Sequence, residues 1–177
     1  MKLTLTYQGP LPPRKRGITS EKANLRTAFH SQILAQVRSR LAEKTVKAVT
    51  STIGGHAFVS VVHQNLRTAV ELDVLLLTPQ ERRQVGDTDN RLKTLIDGLT
   101  RPANLEQMRD YVPPDDGGPL YCLMDNDALV NRLSVDSRRW FVPNVTDTDA
   151  LVLVTASIVL GANADMTSPT ANIFLAL

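Results

Sequence analysis

Asp87-Thr88-Asp89-Asn90 stands directly ahead of an apolar helical stripe, and chemistry is most concentrated there. A helix N-terminus presents unpaired N–H groups and a partial positive charge, both of which suit carboxylates. Asp87 and Asp89 are two residues apart in a stretch read as a loop entering the helix, so both can point at one spot. Lys93 follows Asp89 by four residues and Asp97 follows Lys93 by four, which puts Asp89, Lys93 and Asp97 on one helical face. Such a group could hold a divalent cation. The same residues also admit an ordinary structural account: an acid before a helix is a common cap, and Asp89–Lys93 is an i, i+4 pair worth a few tenths of a kcal/mol, roughly. A Mg²⁺ ion needs further oxygen ligands. Asp125-Asn126-Asp127 could supply a third acid, provided the strand that follows lies beside the one ending at Leu77, so that its start approaches the Asp87/Asp89 loop. Otherwise Asp125-Asn126-Asp127 is turn chemistry between two strands.

The elements that must position these groups follow from hydrophobic spacing. Lys2 to Tyr7 alternates as a strand, which Gly9-Pro-Leu-Pro-Pro13 ends. Ser20 is an N-cap for a helix reaching about Lys47, with Leu25, Phe29, Ile33, Val37, Leu41 and Val46 near helical spacing. Gly54-Gly55 breaks that pattern as a turn; it lacks the phosphate-loop pattern. His56 to His63 and Thr68 to Leu77 read as a hairpin around Asn65-Leu66-Arg67. The continuous apolar run Val74 to Leu77 predicts a strand buried on both faces. Leu92, Leu95, Ile96 and Leu99 fall at i, i+3, i+4 and i+7 and predict one helix, stopped by Arg101-Pro102. Residues 103–119, with Pro113-Pro114, Asp115-Asp116 and Gly117-Gly118, read as a surface insertion with a short helix near Leu105 to Arg109. Tyr121 to Met124, Ala128 to Val135 and Ala150 to Leu160 read as strands. One domain is expected over 1–161, with a tail at 162–177 that contains Ile173-Phe174-Leu175.

In that order of elements, the run from Gly86 through Asp87, Asp89, Asn90, Lys93 and Asp97 to Leu99 resembles the RusA family of Holliday-junction resolvases. The family motif is D-x-D-N-x-x-K, then an apolar helix with D-x-L, then an acidic pair ahead of a strand; Asn126-Asp127-Ala-Leu-Val130 matches the last element. The resemblance covers roughly residues 1–160. It implies an α/β (α+β), RusA-like fold, a mixed β-sheet with helices packed against it. It also implies a homodimer that cleaves branched DNA in recombination and repair. By the same resemblance Asp87, Asp89 and Asp127 bind Mg²⁺ (Mn²⁺ being the alternative ion) and Lys93 is the essential lysine, these four forming the catalytic set, with Asn90, Asp125 and Asn126 as further candidates. The carboxylate-held metal would activate a water and neutralise charge on the scissile phosphate, with Lys93 acting as a point charge. The chain departs from the family where Asn126 replaces an acid, in the 103–119 insertion, and in Leu11-Pro-Pro-Arg-Lys-Arg16, which lacks an asparagine after the prolines. The first two motivate a second expectation: a catalytically weakened or inactive module that binds DNA or serves in assembly.

Charge is unevenly spread over the 177 residues although the net charge is only +2. Residues 1–50 carry ten Lys/Arg and two Glu; residues 101–150 carry five basic and nine acidic groups. A basic first third and an acidic middle suit a phosphate-facing surface and a metal-binding one. Arg14, Lys15, Arg16, Arg82 and Arg83 are the candidate DNA contacts, since such groups neutralise phosphates without reading sequence. Arg38, Arg40, Lys44 and Lys47 read as a solvated helix face. His30, His56 and His63 are scattered and read as surface or strand residues. Trp140, Phe141, Tyr111 and Tyr121 are read as packing residues, with base stacking as the alternative. A single cysteine, Cys122, excludes an internal disulfide framework and a cysteine-cluster zinc site. No apolar run reaches the ~18 residues of a membrane-spanning helix, and Met1-Lys2-Leu3-Thr4 shows no apolar signal region, so a cytoplasmic protein without a membrane partner is expected.

Overall fold

The computed structural model describes residues 1–12, 20–79, 85–141, 146 and 148–161, and for Ser20 and residues 85–87 the backbone alone. Among the described residues, two mixed sheets and three helices make up the fold, an α/β architecture as expected. The larger sheet runs in the order β1 (Lys2–Pro10), β7 (Asp149–Leu160), β4 (Thr68–Thr78), β6 (Val130–Arg139); the smaller one runs β2 (Thr50–Ile53), β3 (His56–Val62), β5 (Leu120–Met124). Helices α1 (Ser20–Val37) and α3 (Val85–Leu99) pack on each other, with α1 also against β1 and β5; the short α2 (Glu43–Ala48) leads into β2.

The core lies between the helices and one face of the larger sheet. Leu3 and Leu5 of β1, Val70, Leu72, Val74 and Leu76 of β4, and Val152, Val154 and Ile158 of β7 meet Leu25, Phe29, Ile33, Leu95 and Leu99 of the helices. Period-2 alternation in β4 and β7 puts Leu75, Leu77, Leu151 and Leu153 on the other face, where they are half-buried. The run Val74 to Leu77 is therefore fully buried on one face and half-buried on the other, where burial on both was expected.

Helix α1 ends at Val37 instead of continuing to Lys47. Apolar residues four apart drift by about 40° per step on a helix of 3.6 residues per turn, so Leu41 lies about 160° away from Leu25. The chain turns there, with the Arg40 and Leu41 amides donating to Val37 O, and Ala42 extended. Strand β2, hidden in the expected helix-to-turn stretch, pairs with β3 across Gly54-Gly55, whose φ values of +58° and +82° suit the tight hairpin turn. The expected hairpin of β3 with β4 does not form. A one-turn 3-10 segment at Gln64–Leu66, followed by left-handed Arg67 (φ +51°), carries the chain from the small sheet into the large one. Residues 103–119 form a largely exposed surface segment with a one-turn 3-10 helix at Glu106–Met108, as expected, and are anchored at two points. Tyr111 lies against Phe58 and His56, with ring centroids 5.3 and 4.9 Å away, and Leu105 sits over Gly54.

Candidate active site at the start of helix α3

The buried strand β4 exits at Thr78, and helix α3 is already helical at Val85. Asp87 and Asp89 therefore lie on the helix and not in a loop before it, so positions 87 and 89 are about 200° apart around its axis. The Asp87 side chain lies outside the described residues, as do Arg14, Lys15, Arg16, Arg82, Arg83 and the tail at 162–177. Asp89 is exposed, and its Oδ2 is 3.8 Å from Lys93 Nζ, the i, i+4 pair foreseen in the spacing. Asn90 is half-buried, and its backbone oxygen accepts from Thr94 Oγ1 at 3.1 Å.

Arg91, which the sequence did not single out, fixes this end of the helix. It is buried, and its Nη1 donates to Leu11 O at 2.7 Å and to Thr148 O at 3.4 Å, tying the first turns of α3 to the end of β1 and the approach to β7. An arginine beside a helical apolar stripe ordinarily reads as solvated, so no signal marked it. At the other end, Arg26 of α1 donates to the Asp97 and Thr100 carbonyls, which serve as a C-terminal cap supplied from a neighbouring helix. Asp97 binds Lys22 at 2.5 Å and is thus tied to α1. Gly98 permits the close helix crossing: a Cβ there would stand 2.6 Å from Leu25 Cβ.

The downstream acidic element is remote from Asp89. β6 does lie beside β4, but parallel to it: Val130 is level with Val70 and Arg139 with Thr78. The start of β6 therefore stands at the opposite end of the sheet from the start of α3. Between them α3 runs back along the sheet, and the ten residues from Asp89 to Leu99 alone span about 15 Å. Thr100 bridges Met124, and Arg101 N donates to Met124 O, so Asp127 belongs with the C-terminal end of α3. The expectation that a strand beside β4 would bring Asp127 toward Asp89 is corrected by this parallel direction.

Asp125, Asn126 and Asp127 have separate situations. Asp125 is buried; Arg101 Nε donates to its Oδ1, and His63 Nε2 lies 3.5 Å from the same atom. Asn126 turns its Nδ2 to Asp125 Oδ2 at 3.4 Å, while its Oδ1 is buried and, among the described residues, without a partner. Asp127 is exposed on the 3-10 turn before β6. Asp125 is thus committed to an internal ion pair with Arg101. Burial pushes the His63 imidazole below the usual histidine range; Asp125 pulls it back up and Arg101 adds to the downward push. Burial likewise lowers His30, with Asp116 acting in the opposite direction. Each histidine accepts a backbone N–H at Nδ1, from Asn65 and from Tyr121 respectively, an arrangement that requires the neutral ring.

Among the described residues no three His, Cys, Asp or Glu side chains gather closely enough to hold one ion. Within one chain, Asp89 and Asp127 do not fit a shared metal. Among the described residues no helix is long and apolar enough to cross a membrane. No protein-family model matches the chain, and no curated protein matches it.

Proposed function

We propose that the protein is an endonuclease of the RusA type acting on branched DNA, with its chemistry centred on the first turns of α3. The observation that carries this reading is the exposed Asp89–Lys93 pair, 3.8 Å apart, on a helix entered from the central strand and anchored by buried Arg91. Exposure leaves both charges accessible to a phosphodiester backbone, and Lys93 supplies a mobile point charge for the phosphate. The D-x-D-N-x-x-K string to which both belong adds Asp87, two residues earlier in the same turn of the helix. Candidate contacts to the junction arms are Arg14, Lys15, Arg16, Arg82 and Arg83.

A second reading, a module on the same fold that binds or assembles on DNA without cleaving it, is favoured by one observation: Asp89 and Asp127 stand at opposite ends of α3, and Asp125 is neutralised by Arg101. A labelled four-way junction incubated with the protein and Mg²⁺ separates the two. Nicking that is lost in Asp89→Asn supports the nuclease. Junction binding that weakens steeply with salt and leaves the strands intact supports the module. Neither binding nor nicking by folded protein overturns both.

A further inference from the structure

The β2–β3 turn and the segment 103–119 enclose a cavity of about 760 Å³, a size that suits a small-molecule ligand. None of its lining belongs to α3, so it lies outside the candidate active site. Gly54 and His56 line it from the turn; Leu105, Glu106, Met108, Arg109 and Tyr111 line it from the segment. Its apolar part consists of Leu105, Met108 and the Tyr111 ring, which meets the His56 ring edge-on at 4.9 Å. Asp110, at φ +64°, takes a left-handed conformation between Arg109 and Tyr111, and both of these neighbours line the cavity.

The polar groups of this lining serve no visible structural purpose. Arg109 follows Glu106 by three residues, yet among the described residues the two side chains form no ion pair, with each other or with any other group. The Tyr111 hydroxyl and the His56 ring nitrogens likewise make no hydrogen bond among the described residues. Arginines that build this fold do have partners: Arg26 and Arg91 bind backbone carbonyls and Arg101 binds Asp125.

We propose that this cavity binds a nucleoside phosphate, with the phosphate on Arg109 and the edge of the base on Glu106. The lining calls for an anionic group opposite the guanidinium, N–H donors opposite the carboxylate, and a flat apolar body between them. A nucleotide combines all three. Its phosphate matches the guanidinium fork, its base carries N–H groups that donate to a carboxylate, and its ring packs on aromatic and thioether walls. Guanine presents two adjacent N–H donors to Glu106, so it is the preferred base. A zwitterionic amino acid supplies the charges without the flat body, and inorganic phosphate supplies the anion alone. The same chemistry serves a free nucleotide and an unpaired nucleotide within a strand.

Deoxyguanosine monophosphate tests this directly. Titrated into the full chain and followed by ¹H–¹⁵N correlation spectra, it should saturably shift the amides of Gly54, Gly55, His56, Met108, Arg109 and Tyr111, with a Kd below about 1 mM. Deoxyguanosine without its phosphate should bind about ten-fold more weakly. Arg109→Gln should bring the monophosphate down to the level of deoxyguanosine, and Glu106→Ala should remove the preference for it over thymidine monophosphate. Both side chains are exposed, so spectra away from the cavity should stay as in wild type. A thymine hexamer carrying one guanine separates the sources: binding tighter than the monophosphate supports a nucleotide within a strand, and weaker binding supports a free one. Absence of saturable shifts at these amides overturns the proposal, as does binding that neither substitution changes. Inorganic phosphate or a leucyl-phenylalanine dipeptide that shifts the same amides as strongly overturns it too. No cleavage is read in any arm, so failure of the nuclease reading leaves these outcomes unchanged.

Discussion

Asp125→Asn and Asp127→Asn, two changes that look alike in the sequence, should have opposite effects. Asp125 is 7% exposed and its carboxylate takes Arg101 Nε while lying 3.5 Å from His63 Nε2. Replacing it with the isosteric amide leaves the Arg101 guanidinium without its counter-ion in a place where its side chain is only 21% exposed. Removing one member of a buried pair costs 3–5 kcal/mol; because Arg101 keeps some access to water, about 3 kcal/mol is expected here. For a domain of this size each kcal/mol moves the midpoint by 2–4 °C, so Asp125→Asn should melt about 6–12 °C below wild type. Asp127 is exposed, and among the described residues its side chain makes no hydrogen bond or ion pair, so Asp127→Asn should change stability by less than about 0.5 kcal/mol. Thermal melts followed by circular dichroism give both numbers. Equal melting points for the two variants would refute the claim that Asp125 serves the fold; a large loss at Asp127→Asn would refute the claim that Asp127 is free of it.

Gly98→Ala should destabilise the protein even though alanine is the better helix former. The helix gain is about 1 kcal/mol, while a Cβ placed 2.6 Å from Leu25 Cβ meets an atom fixed by the α1 backbone, and overpacking costs roughly 1–3 kcal/mol; a rise in urea midpoint would contradict the tight crossing. Because burial lowers His30 and His63, the unfolded chain takes up protons below about pH 6.5 that the folded one refuses. Stability should therefore fall as pH drops from 7.5 to 5.5. His63→Gln should flatten that slope in urea titrations, and an unchanged slope would contradict the assignment. The Cys122 thiol, pushed up to about 12 by burial against the opposing pull of Arg26 and Arg101, should resist iodoacetamide at pH 8 in the folded protein and react after guanidinium is added.

Much of the fold was legible where a residue's spacing and its tertiary neighbours agree. The stripe Leu92, Leu95, Ile96 and Leu99 became one face of α3, and the run from Ala150 became the long central strand β7. The elements went astray where local pattern underdetermines pairing. His56 to His63 and Thr68 to Leu77 have good hairpin spacing, yet left-handed Arg67 separates them into different sheets. The four-residue steps from Leu25 to Leu41 resemble helical spacing until their drift is counted. For the site, the Asp89–Lys93 contact was readable because it is local to one helix. The position of Asp127 was not, because it depends on whether β6 runs with β4 or against it, and strand direction leaves no mark in β6 itself. Nor could spacing show that Asp125, and not Asn126, is the buried member of the acidic run, since its partners Arg101 and His63 lie 24 and 62 residues away in sequence.

The proposal that the first turns of α3 carry metal-dependent cleavage is tested most directly on a labelled four-way junction with Mg²⁺. Wild type should nick it, whereas Asp89→Asn and Lys93→Ala, both exposed changes that leave the melting point where it is, should not. Folded wild type that leaves the junction intact, or an Asp89→Asn chain that nicks as well as wild type, would contradict the proposal.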